Sequence, residues 1–547
     1  MIIKVGLDLR VLNYSMKYLL KYKGLLFIYM FVNAGLMIVT VISPYITGRI
    51  INMLTGTSSL EYLYSYIALI SMVWVMDILL GLVNNIITAK LRIDSTYAMC
   101  NEIVKHIHKS SFIKVNSVDP MYLNQRINQD TGNCINFAIN VITNITTNTI
   151  TAAVMLALIY KISSKITFIL ICLVIIYYYT YVMVKKTLSD YTKKHKEAQN
   201  LFFAKMGEQI RYTRFVKLHS LQVFFEKRFE NAYVLFRTTA LQFRKLICFL
   251  TSIDYVIKCA ANVALFVIGG KEIISGNISL GTFLMVSSYF PKIINSLSYY
   301  FQVGKIYQDT LVSYNRLKEI LNWEQETYGS YVPDQISEIC LSDFSFTYNN
   351  IKILSNLSLI FKKGHIYGIV GKNGTGKSTL VQAISGLFFN DYTGDILING
   401  VTMKNCDMYK IRDKFYSVVE QEPMLLNDSI ATNLFLNHCK NRERAYEIYQ
   451  LMGLTLYFDS LSDGLETIIS PTNDNISGGE KQKISLVRAL LKESEVVILD
   501  EPTSALDEKT IEKLLQYLQI NKKNKIVILV THDLRVINIC DSVVELS

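Results

Sequence analysis

A glycine-rich loop is the part of the sequence whose residue types and spacing point most clearly to chemistry. It reads Gly-Lys-Asn-Gly-Thr-Gly-Lys-Ser at 371–378, follows a β-branched run at 365–370 and precedes a helix-like segment at 379–387. A phosphate-binding loop requires this order, because glycines let backbone N–H groups curl around phosphate oxygens and the helix adds its positive N-terminal end. We expect Lys377 to reach the terminal phosphates of a nucleotide and Ser378 to ligate Mg²⁺.

An apolar run that ends in two acids is the second feature with chemical potential. Residues 496–499 are Val-Val-Ile-Leu, and Asp500 and Glu501 follow them directly. A strand buried in a parallel sheet has this composition. We expect Asp500 to hold Mg²⁺ through water and Glu501 to orient and deprotonate an attacking water. The alternative, a strand followed by a surface acidic pair, is disfavoured by the glycine loop.

A third segment has the layout of an anion-binding element. Ser477, Gly478, Gly479 and Glu480 precede a helix predicted at 481–491, so backbone N–H groups and a helix N-terminus are available to an anion. One domain cannot easily present this segment and the glycine loop to the same nucleotide. The pattern therefore predicts two chains arranged head to tail, with ATP between the Lys377 loop of one and the Ser477 loop of the other.

Composition indicates that much of the chain lies in a membrane. Of 547 residues, 51% are hydrophobic and only 18% are charged, which is too apolar for an ordinary soluble chain. Six apolar runs have the length of ~20 residues that a bilayer requires. These runs lie at 24–46, 62–87, 137–161, 166–184, 246–270 and 282–304. The nine cysteines include no Cys-x-x-Cys pair, so neither a disulfide framework nor a zinc site is expected.

The placement of basic residues predicts the orientation of the spans. Long polar stretches separate the second run from the third and the fourth from the fifth, and the latter stretch is basic. The short connections carry few basic residues, so the positive-inside rule places both long stretches and both termini in the cytoplasm. We expect a multi-pass protein of the cytoplasmic membrane in contact with its lipids. The net charge of +11 is explained in this way rather than by nucleic-acid binding.

Helical patterns continue through the polar parts of this half. Residues 8–23 predict a short amphipathic helix along the inner membrane surface. Residues 201–229 have helical apolar spacing, no proline and one glycine, and they predict a helix that extends out of the membrane. Two paired extensions of this kind, each with a short turn at its tip, offer tips that a nucleotide-driven domain can grip.

The charge pattern divides the chain into halves of different fold class. An all-α polytopic membrane domain with six helices and long cytoplasmic extensions is expected first, followed by an α/β phosphate-loop ATPase domain. The predicted boundaries are an N-terminal segment at 1–23, a membrane domain at 24–305, a linker at 306–335 and a nucleotide-binding domain at 336–547.

These features together resemble an ABC transporter of the exporter type, a half-transporter in which the membrane domain precedes the ATPase domain. The resemblance covers nearly the whole chain, extends to the peptide- and bacteriocin-exporting group, and implies that ATP and Mg²⁺ are bound. The catalytic residues it implies are Lys377, Glu501 and His532. The metal ligands it implies are Ser378, Gln421 and Asp500. The nucleotide-binding residues it implies are Tyr348, Gly371, Asn373, Gly374, Thr375, Gly376, Lys377, Ser378, Thr379, Gln421, Ser477, Gly478, Gly479 and Asp507.

The resemblance also implies separate roles for the members of this set. The segment at 477–479 is the signature sequence, which contacts the γ-phosphate in trans, and Gln421 senses Mg²⁺ and the γ-phosphate. His532 lies at the γ-phosphate, and Asp507 belongs to the loop that links the two sites. Tyr348 stacks on adenine. Two nearby phenylalanines are alternatives for that role, although strand alternation turns them towards the core.

In the membrane half the resemblance rests on layout more than on motifs. Leu123, Arg126 and Asp130 resemble the end of the family's first intracellular loop, which implies coupling helices near 113–123 and 211–220. The turn that joins the last two spans resembles the family's through three glycines, namely Gly269, Gly276 and Gly281.

Three departures from the family pattern stand out. The signature reads Ile-Ser-Gly-Gly-Glu instead of Leu-Ser-Gly-Gly-Gln, which keeps the serine and the backbone donors. The loop at 470–473 lacks the usual Gly-Glu-Arg-Gly, so communication with the coupling helices is expected to differ. The chain stops at Ser547 without the usual helical tail, which is expected to loosen the nucleotide-free state. Because the catalytic elements are intact in this one chain, we expect a homodimer, with a heterodimer as the alternative.

Charged residues within spans are costly and need a reason. Asp254 and Lys258 are spaced to pair with each other, or else they form a polar patch in a cavity with Asp77 and Lys292. Tyrosines in the last span, Tyr289, Tyr299 and Tyr300, either line that cavity or belong to an interfacial belt.

Three hypotheses on function remain open. The first is an ATP-driven exporter of a modified or antimicrobial peptide, and no fused leader peptidase is expected because only a short segment precedes the first span. The second is an exporter or flippase of lipids or lipophilic drugs. The third is a regulatory or sensing membrane protein with little transport.

Overall fold

The structure is a computed structural model that describes residues 9–56, 60–326, 329–388, 391–436, 442–469 and 476–546. The chain divides into a first unit, Met1–Lys105 with Pro120–Asn322, and a second unit, His106–Asp119 with Trp323–Ser547. The divergent loop at 470–473 and the C-terminal Ser547 lie outside the described residues.

Long helices make up the first unit, because a helix satisfies its own backbone polar groups inside a membrane. The helices up to residue 321 are α1 (Leu9–Leu19), α2 (Lys23–Thr55), α3 (Leu60–His108), α4 (Phe112–Asn116), α5 (Pro120–Ile162), α6 (Ser164–Arg211), α7 (Thr213–Leu218), α8 (Gln222–Ile274) and α9 (Leu280–Leu321). Each predicted span falls within one of the helices α2, α3, α5, α6, α8 and α9. Over the described residues, the segments long and apolar enough to cross a membrane are Arg10–Thr55, Leu60–His108, Tyr122–Ile162 and Gln222–Ile274. The predicted helical membrane domain is confirmed.

Helix α9 lies at the centre of the first unit. Its side chains Val286, Tyr289 and Phe290 are fully buried, and they share a core with Ile159 of α5 and Ile166 of α6. The same helix also packs along α2 and α5. A displacement of α9 would therefore alter the packing of several spans.

The helical extension built from α6 and α8 carries a row of stacked rings, which we call the aromatic stack. Phe229, Phe236 and Phe243 recur every seven residues on α8, and His195 and Phe202 have the same spacing on α6. The rings interleave in the order 243, 195, 236, 202 and 229, with neighbouring centroids 5.2, 5.7, 5.1 and 5.0 Å apart. A seven-residue repeat on two facing helices is the pattern of a coiled coil, so the stack joins α6 to α8 over its length.

Residues 201–229 are helical as predicted, and the chain reverses within this segment at the predicted position of the short turn. Helix α6 ends at Arg211, the short α7 follows, and α8 begins at Gln222. Ser220, just before α8, has a φ of +51°, a left-handed conformation that is uncommon for a residue other than glycine. The pairing of α6 with α8 requires this reversal, and helical periodicity alone does not reveal which two helices pair.

Helix α1 is amphipathic as predicted, but protein covers its apolar side. Val11 and Tyr18 are fully buried, and Val11 lies in a cluster with Phe137 of α5 and Tyr307 of α9. The ring of Tyr14 meets Tyr314 of α9 at 5.3 Å between centroids. Contacts with α5 and α9 thus bury part of the apolar face of this helix, which the amphipathic pattern alone does not indicate.

Three glycines predicted to shape one turn have separate roles. Gly276 is in the turn between α8 and α9, with a φ of +74°. A Cβ at Gly269 would lie 2.3 Å from the Phe283 ring, and one at Gly281 would lie 2.0 Å from the carbonyl oxygen of Gly48. The last two therefore allow close helix packing, which a turn motif does not indicate.

The second unit contains the α/β fold predicted for the C-terminal half, which is confirmed. Its strands are β1 (Glu338–Tyr348), β2 (Ile351–Lys362), β3 (Ile366–Gly371), β4 (Tyr392–Ile398), β5 (Val401–Thr402), β6 (Tyr416–Val419), β7 (Asp428–Ser429), β8 (Ile468–Ile469), β9 (Val496–Asp500), β10 (Ile526–Val530) and β11 (Ser542–Leu546). Its helices after α9 are α10 (Lys377–Ile384), α11 (Met408–Phe415), α12 (Ile430–Phe435), α13 (Arg442–Leu451), α14 (Thr455–Asp459), α15 (Gly478–Leu491), α16 (Glu508–Asn521) and α17 (Leu534–Ile537).

The main sheet of this unit positions the chemistry. It has the order β11-β3-β10-β9-β6 and is parallel throughout, while β2-β1-β4-β5 form a separate antiparallel sheet and β7 pairs with β8. Strands β9 and β10 are completely buried, as their apolar runs predict. Because parallel strands end at the same edge, the loops after β3, β6, β9 and β10 lie together.

Candidate functional site

The glycine loop joins β3 to α10 at the carboxyl edge of the main sheet. Gly374 and Gly376 have φ angles of +85° and +90°, in the left-handed region that favours glycine. A Cβ on Gly371 would lie 2.5 Å from the carbonyl oxygen of Leu546 in the neighbouring β11. The loop can keep this curve only with glycine at these positions, as expected for a phosphate-binding loop.

Two side chains at the start of α10 connect the loop to the acidic strand. The Nζ of Lys377 donates to the carbonyl oxygens of Gly371 at 2.6 Å and Lys372 at 3.0 Å, so the ammonium lies inside the curve of the loop. The Oγ of Ser378 donates to Oδ2 of Asp500 at 3.1 Å. The structure therefore brings together the two segments that the sequence singled out, although they are far apart in the chain. The other loop residues, Asn373, Thr375 and Thr379, lie in the same loop and the first turn of α10.

The carboxyl group of Asp500 has the properties of a cation ligand. It is 7% exposed, and its burial raises its pKa although the hydrogen bond from Ser378 acts in the opposite direction. The negative charge of Glu501 next to it raises the pKa further. A divalent cation would remove this cost of ionisation, and carboxylate and hydroxyl oxygens are the donors that Mg²⁺ prefers. The residues at this position therefore fit the metal.

Glu501 has an unusual backbone that aims its side chain away from the end of β9. Its φ is +47°, and its N–H donates to the carbonyl oxygen of Val530 at 2.9 Å. The side chain accepts a hydrogen bond at 3.1 Å from Nε2 of Gln421, the residue that follows β6 and Glu420. Non-glycine residues in this conformation concentrate at functional sites, because the surrounding fold must hold them there.

Gln482 is a positioning residue that the sequence analysis missed. Its side chain is 2% exposed. Its Nε2 donates to the carbonyl oxygen of Glu501 at 2.9 Å and to Oγ of Ser504 at 3.2 Å, and its Oε1 accepts from the N–H of Ala505 at 2.9 Å. One amide thus fixes the backbone on both sides of the loop after β9. The signal available in the sequence was a polar residue on the buried face of a predicted helix.

The signature segment forms the first turn of α15. Ser477 is the N-cap, and both its N–H and its Oγ donate to Oε2 of Glu480, at 2.8 and 2.7 Å. The N–H of Glu480 donates back to Oγ of Ser477 at 3.3 Å, which completes a capping box. The helix predicted from 481 therefore begins earlier, at Gly478. Glutamate at 480 performs the capping that glutamine is also able to perform.

The signature helix also contacts the loop that contains Asp507. A Cβ on Gly479 would lie 2.8 Å from the carbonyl oxygen of Ala505, so only glycine permits this approach. Asp507 caps α16 and accepts a hydrogen bond at 2.8 Å from Lys483, which lowers its pKa. The hydrogen bonds of Ser477 run within its own turn, whereas those of Ser378 and Lys377 run to Asp500 and the glycine loop.

Two predicted site residues are exposed at the margins of these loops. His532 lies two residues after the end of β10 and is exposed, while Thr531 between them is buried. Tyr348, at the end of β1, is 39% exposed, whereas Phe344 and Phe346 are buried at 0% and 3%. Of these three rings, Tyr348 is therefore the one available to a base.

The predicted first coupling helix corresponds to α4, which belongs to the second unit. Phe112 and Ile113 pack against the core of that unit, and the Phe112 ring lies 6.3 Å from that of Phe388. The preceding loop pairs with the chain after α9, since the N–H of Ser111 donates to the carbonyl oxygen of Glu324 at 3.1 Å. The predicted second coupling helix corresponds to α7, in the first unit.

The charged residues noted in the first unit have identifiable contacts. Nζ of Lys258 lies 2.8 Å from Oδ2 of Asp254 on the same helix.

Arg126 donates to the carbonyl oxygen of Arg316 at 2.7 Å and to Glu319 at 2.5 Å, which ties α5 to α9. The flanking residues named with Arg126, Leu123 and Asp130, are buried. The hydroxyl of Tyr299 donates to the carbonyl oxygen of Asn140 at 3.0 Å.

Comparison with known families gives two matches along the chain. Residues 26–297 match the ABC transporter transmembrane region, and residues 354–504 match the ABC transporter ATP-binding family described as "ABC transporter". Together they cover most of the sequence, in the order membrane region and then ATPase domain.

Curated relatives are similar at modest identity. A putative export ATP-binding/permease protein of Rickettsia typhi is 29% identical over 66% of this chain and 64% of its own length. The alpha-hemolysin translocation ATP-binding protein of Escherichia coli O157:H7 is 30% identical over 51% of this chain and 40% of its own length. An ATP-dependent lipid A-core flippase of Mannheimia succiniciproducens is 29% identical over 54% of this chain and 51% of its own length. The chain thus matches less than two thirds of the length of these relatives.

A solved structure extends the comparison to the whole fold. The structure of a bacterial Atm1-family ABC exporter with ATP bound superimposes with a TM-score of 0.84, covering 96% of this chain and 94% of that one. The sequences are only 18% identical, so this likeness concerns the fold. With both family regions present in one chain and the phosphate loop beside the acidic strand, the protein belongs to the ABC transporters and has the layout of a half-transporter, a transmembrane region followed by an ABC ATPase domain.

Proposed function

We propose that the protein is an ATP-driven exporter that works by alternating access. The observation that carries this proposal is the assembly of Lys377, Ser378, Asp500, Gln421 and Glu501 at one edge of the main sheet. The distribution of basic residues supports a cytoplasmic location for this edge and for the ATPase domain, by the positive-inside rule. A substrate taken up on that side would leave the cell when the helices change from inward- to outward-facing.

Each of these residues has a proposed part in ATP hydrolysis. Lys377 and the backbone of 371–376 would bind the phosphates, and Ser378, Asp500 and Gln421 would hold Mg²⁺. When bound, the metal supplies positive charge that stabilises the phosphate oxygens as negative charge develops on them. Glu501 orients the attacking water and accepts its proton, and Gln421 positions that carboxylate through the hydrogen bond of 3.1 Å. His532 donates to the γ-phosphate, and Tyr348 stacks on adenine.

A second copy of the chain is proposed to complete each site. The segment at 477–479 caps its own helix and contacts Ala505, while the glycine loop contacts Asp500, so the two phosphate-binding elements have separate partners within the chain. In a head-to-tail pair, the signature of one copy closes the site on the glycine loop of the other, with Asp507 in the connecting loop. ATP binding shifts the membrane helices only to the extent that it favours this closed pair.

A peptide is the substrate class that we propose first. Among the relatives, the names leukotoxin translocation ATP-binding protein and alpha-hemolysin translocation ATP-binding protein refer to polypeptide cargo. A lipid is the second candidate, favoured by the relative that is named a lipid A-core flippase. These relatives are similar to this chain over half of it, so their cargo indicates a class and not an identity.

ATP hydrolysis by the purified full-length protein in lipid nanodiscs tests this proposal. The panel contains small peptides, lipids and lipophilic dyes, with Glu501→Gln as the blank and the exposed-acid variant Glu512→Gln as the matched control. We expect hydrolysis that peptides stimulate, that Glu512→Gln retains and that Glu501→Gln loses. Stimulation by lipids or dyes alone would replace the peptide by the second candidate. A slow rate that nothing stimulates would overturn transport in favour of a regulatory role.

A further inference from the structure

Helix α2 contains a proline in the middle of a membrane-spanning segment. Pro44 has no N–H, so the carbonyl oxygen of Thr40, four residues earlier, loses the donor that a regular helix would give it. In the hydrocarbon region such a carbonyl needs another donor, and a neighbouring helix is one source of it. The contacts around Thr40 therefore indicate how the chain tolerates this proline.

Side chains of α9 supply the missing donor and a second one beside it. Nζ of Lys292 lies 3.0 Å from the carbonyl oxygen of Thr40. The hydroxyl of Tyr289, which is fully buried, donates to the carbonyl oxygen of Val41 at 2.6 Å. A lysine within a membrane span costs free energy, so its presence needs a reason. A backbone carbonyl that lacks its usual donor is a specific reason of this kind.

The two helices are also in backbone contact about two helical turns further along α2. A Cβ on Gly48 would lie 2.6 Å from the carbonyl oxygen of Gly281, so both positions require glycine. Further along, the N–H of Gly281 donates to Oδ1 of Asn52 at 2.8 Å. The lysine contact is thus one of several contacts, polar and close-packed, that join α2 to α9.

We propose that Lys292 is a positioning residue, which fills the gap that Pro44 leaves in α2 and thereby joins α2 to α9. Its ammonium group bonds to a backbone carbonyl within the protein and does not serve to bind the transported substrate. Since α9 leads directly into the ATPase domain along the chain, α2 follows α9 when that domain drives the membrane helices. This last step rests on the proposed function, whereas the pairing of Pro44 with Lys292 does not.

The experiment compares Lys292→Met in two backgrounds, the natural chain and Pro44→Ala. The melting temperature of the full-length protein in nanodiscs is the readout. With Pro44 present, we expect Lys292→Met to lower it by about 3 °C, because the Thr40 carbonyl loses its donor. In the Pro44→Ala background, the restored N–H bonds that carbonyl, so the same substitution should leave the melting temperature unchanged or raise it. Lys292→Arg retains a donor and should behave as the natural chain.

A control and a functional readout sharpen the test. Lys258 pairs with Asp254, so Lys258→Met should have the same effect in both backgrounds. Peptide-stimulated hydrolysis should fall about tenfold in Lys292→Met and recover in the double variant with Pro44→Ala. Equal losses of melting temperature in both backgrounds would overturn the pairing. An unchanged melting temperature with lost stimulation would assign Lys292 to the cargo path instead. If no variant shows stimulation, the proposed function fails, and the melting temperatures still decide the pairing.

Discussion

At the residue scale, Glu501 connects backbone geometry with the chemistry of the site. Its left-handed φ of +47° and its bond to Val530 set it apart from the strand that it follows, and Gln482 and Gln421 restrain it from two sides. Asp500, one residue earlier, has instead a buried carboxyl group whose pKa is raised. These different surroundings agree with the different tasks proposed for the two adjacent acids, metal binding for Asp500 and proton acceptance for Glu501.

The proposed base is tested by Glu501→Gln. The amide keeps the shape of the side chain and removes its ability to take a proton, so ATP binding should persist while turnover falls by about 10²–10⁴-fold. Binding of a fluorescent ATP analogue and release of phosphate separate the two effects. Hydrolysis close to the natural rate would mean that another group is the base.

The adenine contact is tested by Tyr348→Ala. Loss of one stacking partner should weaken ATP affinity about tenfold with little change in maximal rate, because stacking on a base is worth about 1–3 kcal/mol. Tyr446, exposed on α13, provides the matched control Tyr446→Ala. Unchanged affinity in Tyr348→Ala would exclude this ring as the stacking partner.

At the element scale, the pairing of helices determines how the extensions are built. Helices α6 and α8 interleave their aromatic stack, and α4 packs into the second unit through Phe112 and Ile113. The stack stiffens a pair of helices that would otherwise be held by scattered apolar contacts. Such stiffness is what an extension requires if it is to carry motion towards the membrane.

The contribution of the stack is tested by Phe202→Leu. This ring lies between Phe229 and Phe236, and each aromatic pair contributes about 0.5–1.5 kcal/mol beyond its buried area. We expect a melting temperature lower by about 3 °C and faster proteolysis of the α6–α8 connection. Phe203→Leu, next to it and 43% exposed, is the control and should change little. Equal effects of the two would show that the stack has no special role.

At the scale of the whole molecule, the separation of the two phosphate-binding elements implies a shared site. Within the described chain, Ser477 bonds to Glu480 while Ser378 bonds to Asp500. Oligomers of one chain are usually symmetric. In a two-fold symmetric pair, the signature of each copy meets the glycine loop of the other, which gives two equivalent sites. Both proposed sites are then identical, in agreement with the intact catalytic residues of this chain.

Complementation between two inactive variants tests this arrangement. Lys377→Ala damages the glycine loop and Ser477→Ala damages the signature, so each variant alone should have little activity. A mixed pair retains one site with an intact loop from one copy and an intact signature from the other. Co-expression should therefore restore about a quarter of the natural rate, because about half of the pairs are mixed. No recovery in mixed pairs isolated with two affinity tags would mean that the site is not shared.

Local pattern in the sequence determined a large part of this protein. The glycine loop, the strand before Asp500 and the apolar runs depend on neighbouring residues, because backbone conformation and burial of a strand or span follow from short-range composition. The fold class and the six helices with predicted spans were therefore accessible. The sequence also predicted that the loops after β3 and β9 lie together, because parallel strands end at the same edge of a sheet.

Only the tertiary structure decided what depends on contacts between distant segments. The bond of Lys292 to Thr40, the restraint of Glu501 by Gln482, and the packing of Gly281 on Gly48 join residues far apart in the chain. The pairing of α6 with α8 and the burial of α1 have the same origin. A periodic pattern in the sequence predicts that a helix has an apolar face, and the residue types show where its charges lie. Which element packs against that face or bonds to that charge depends on the packing of the whole chain.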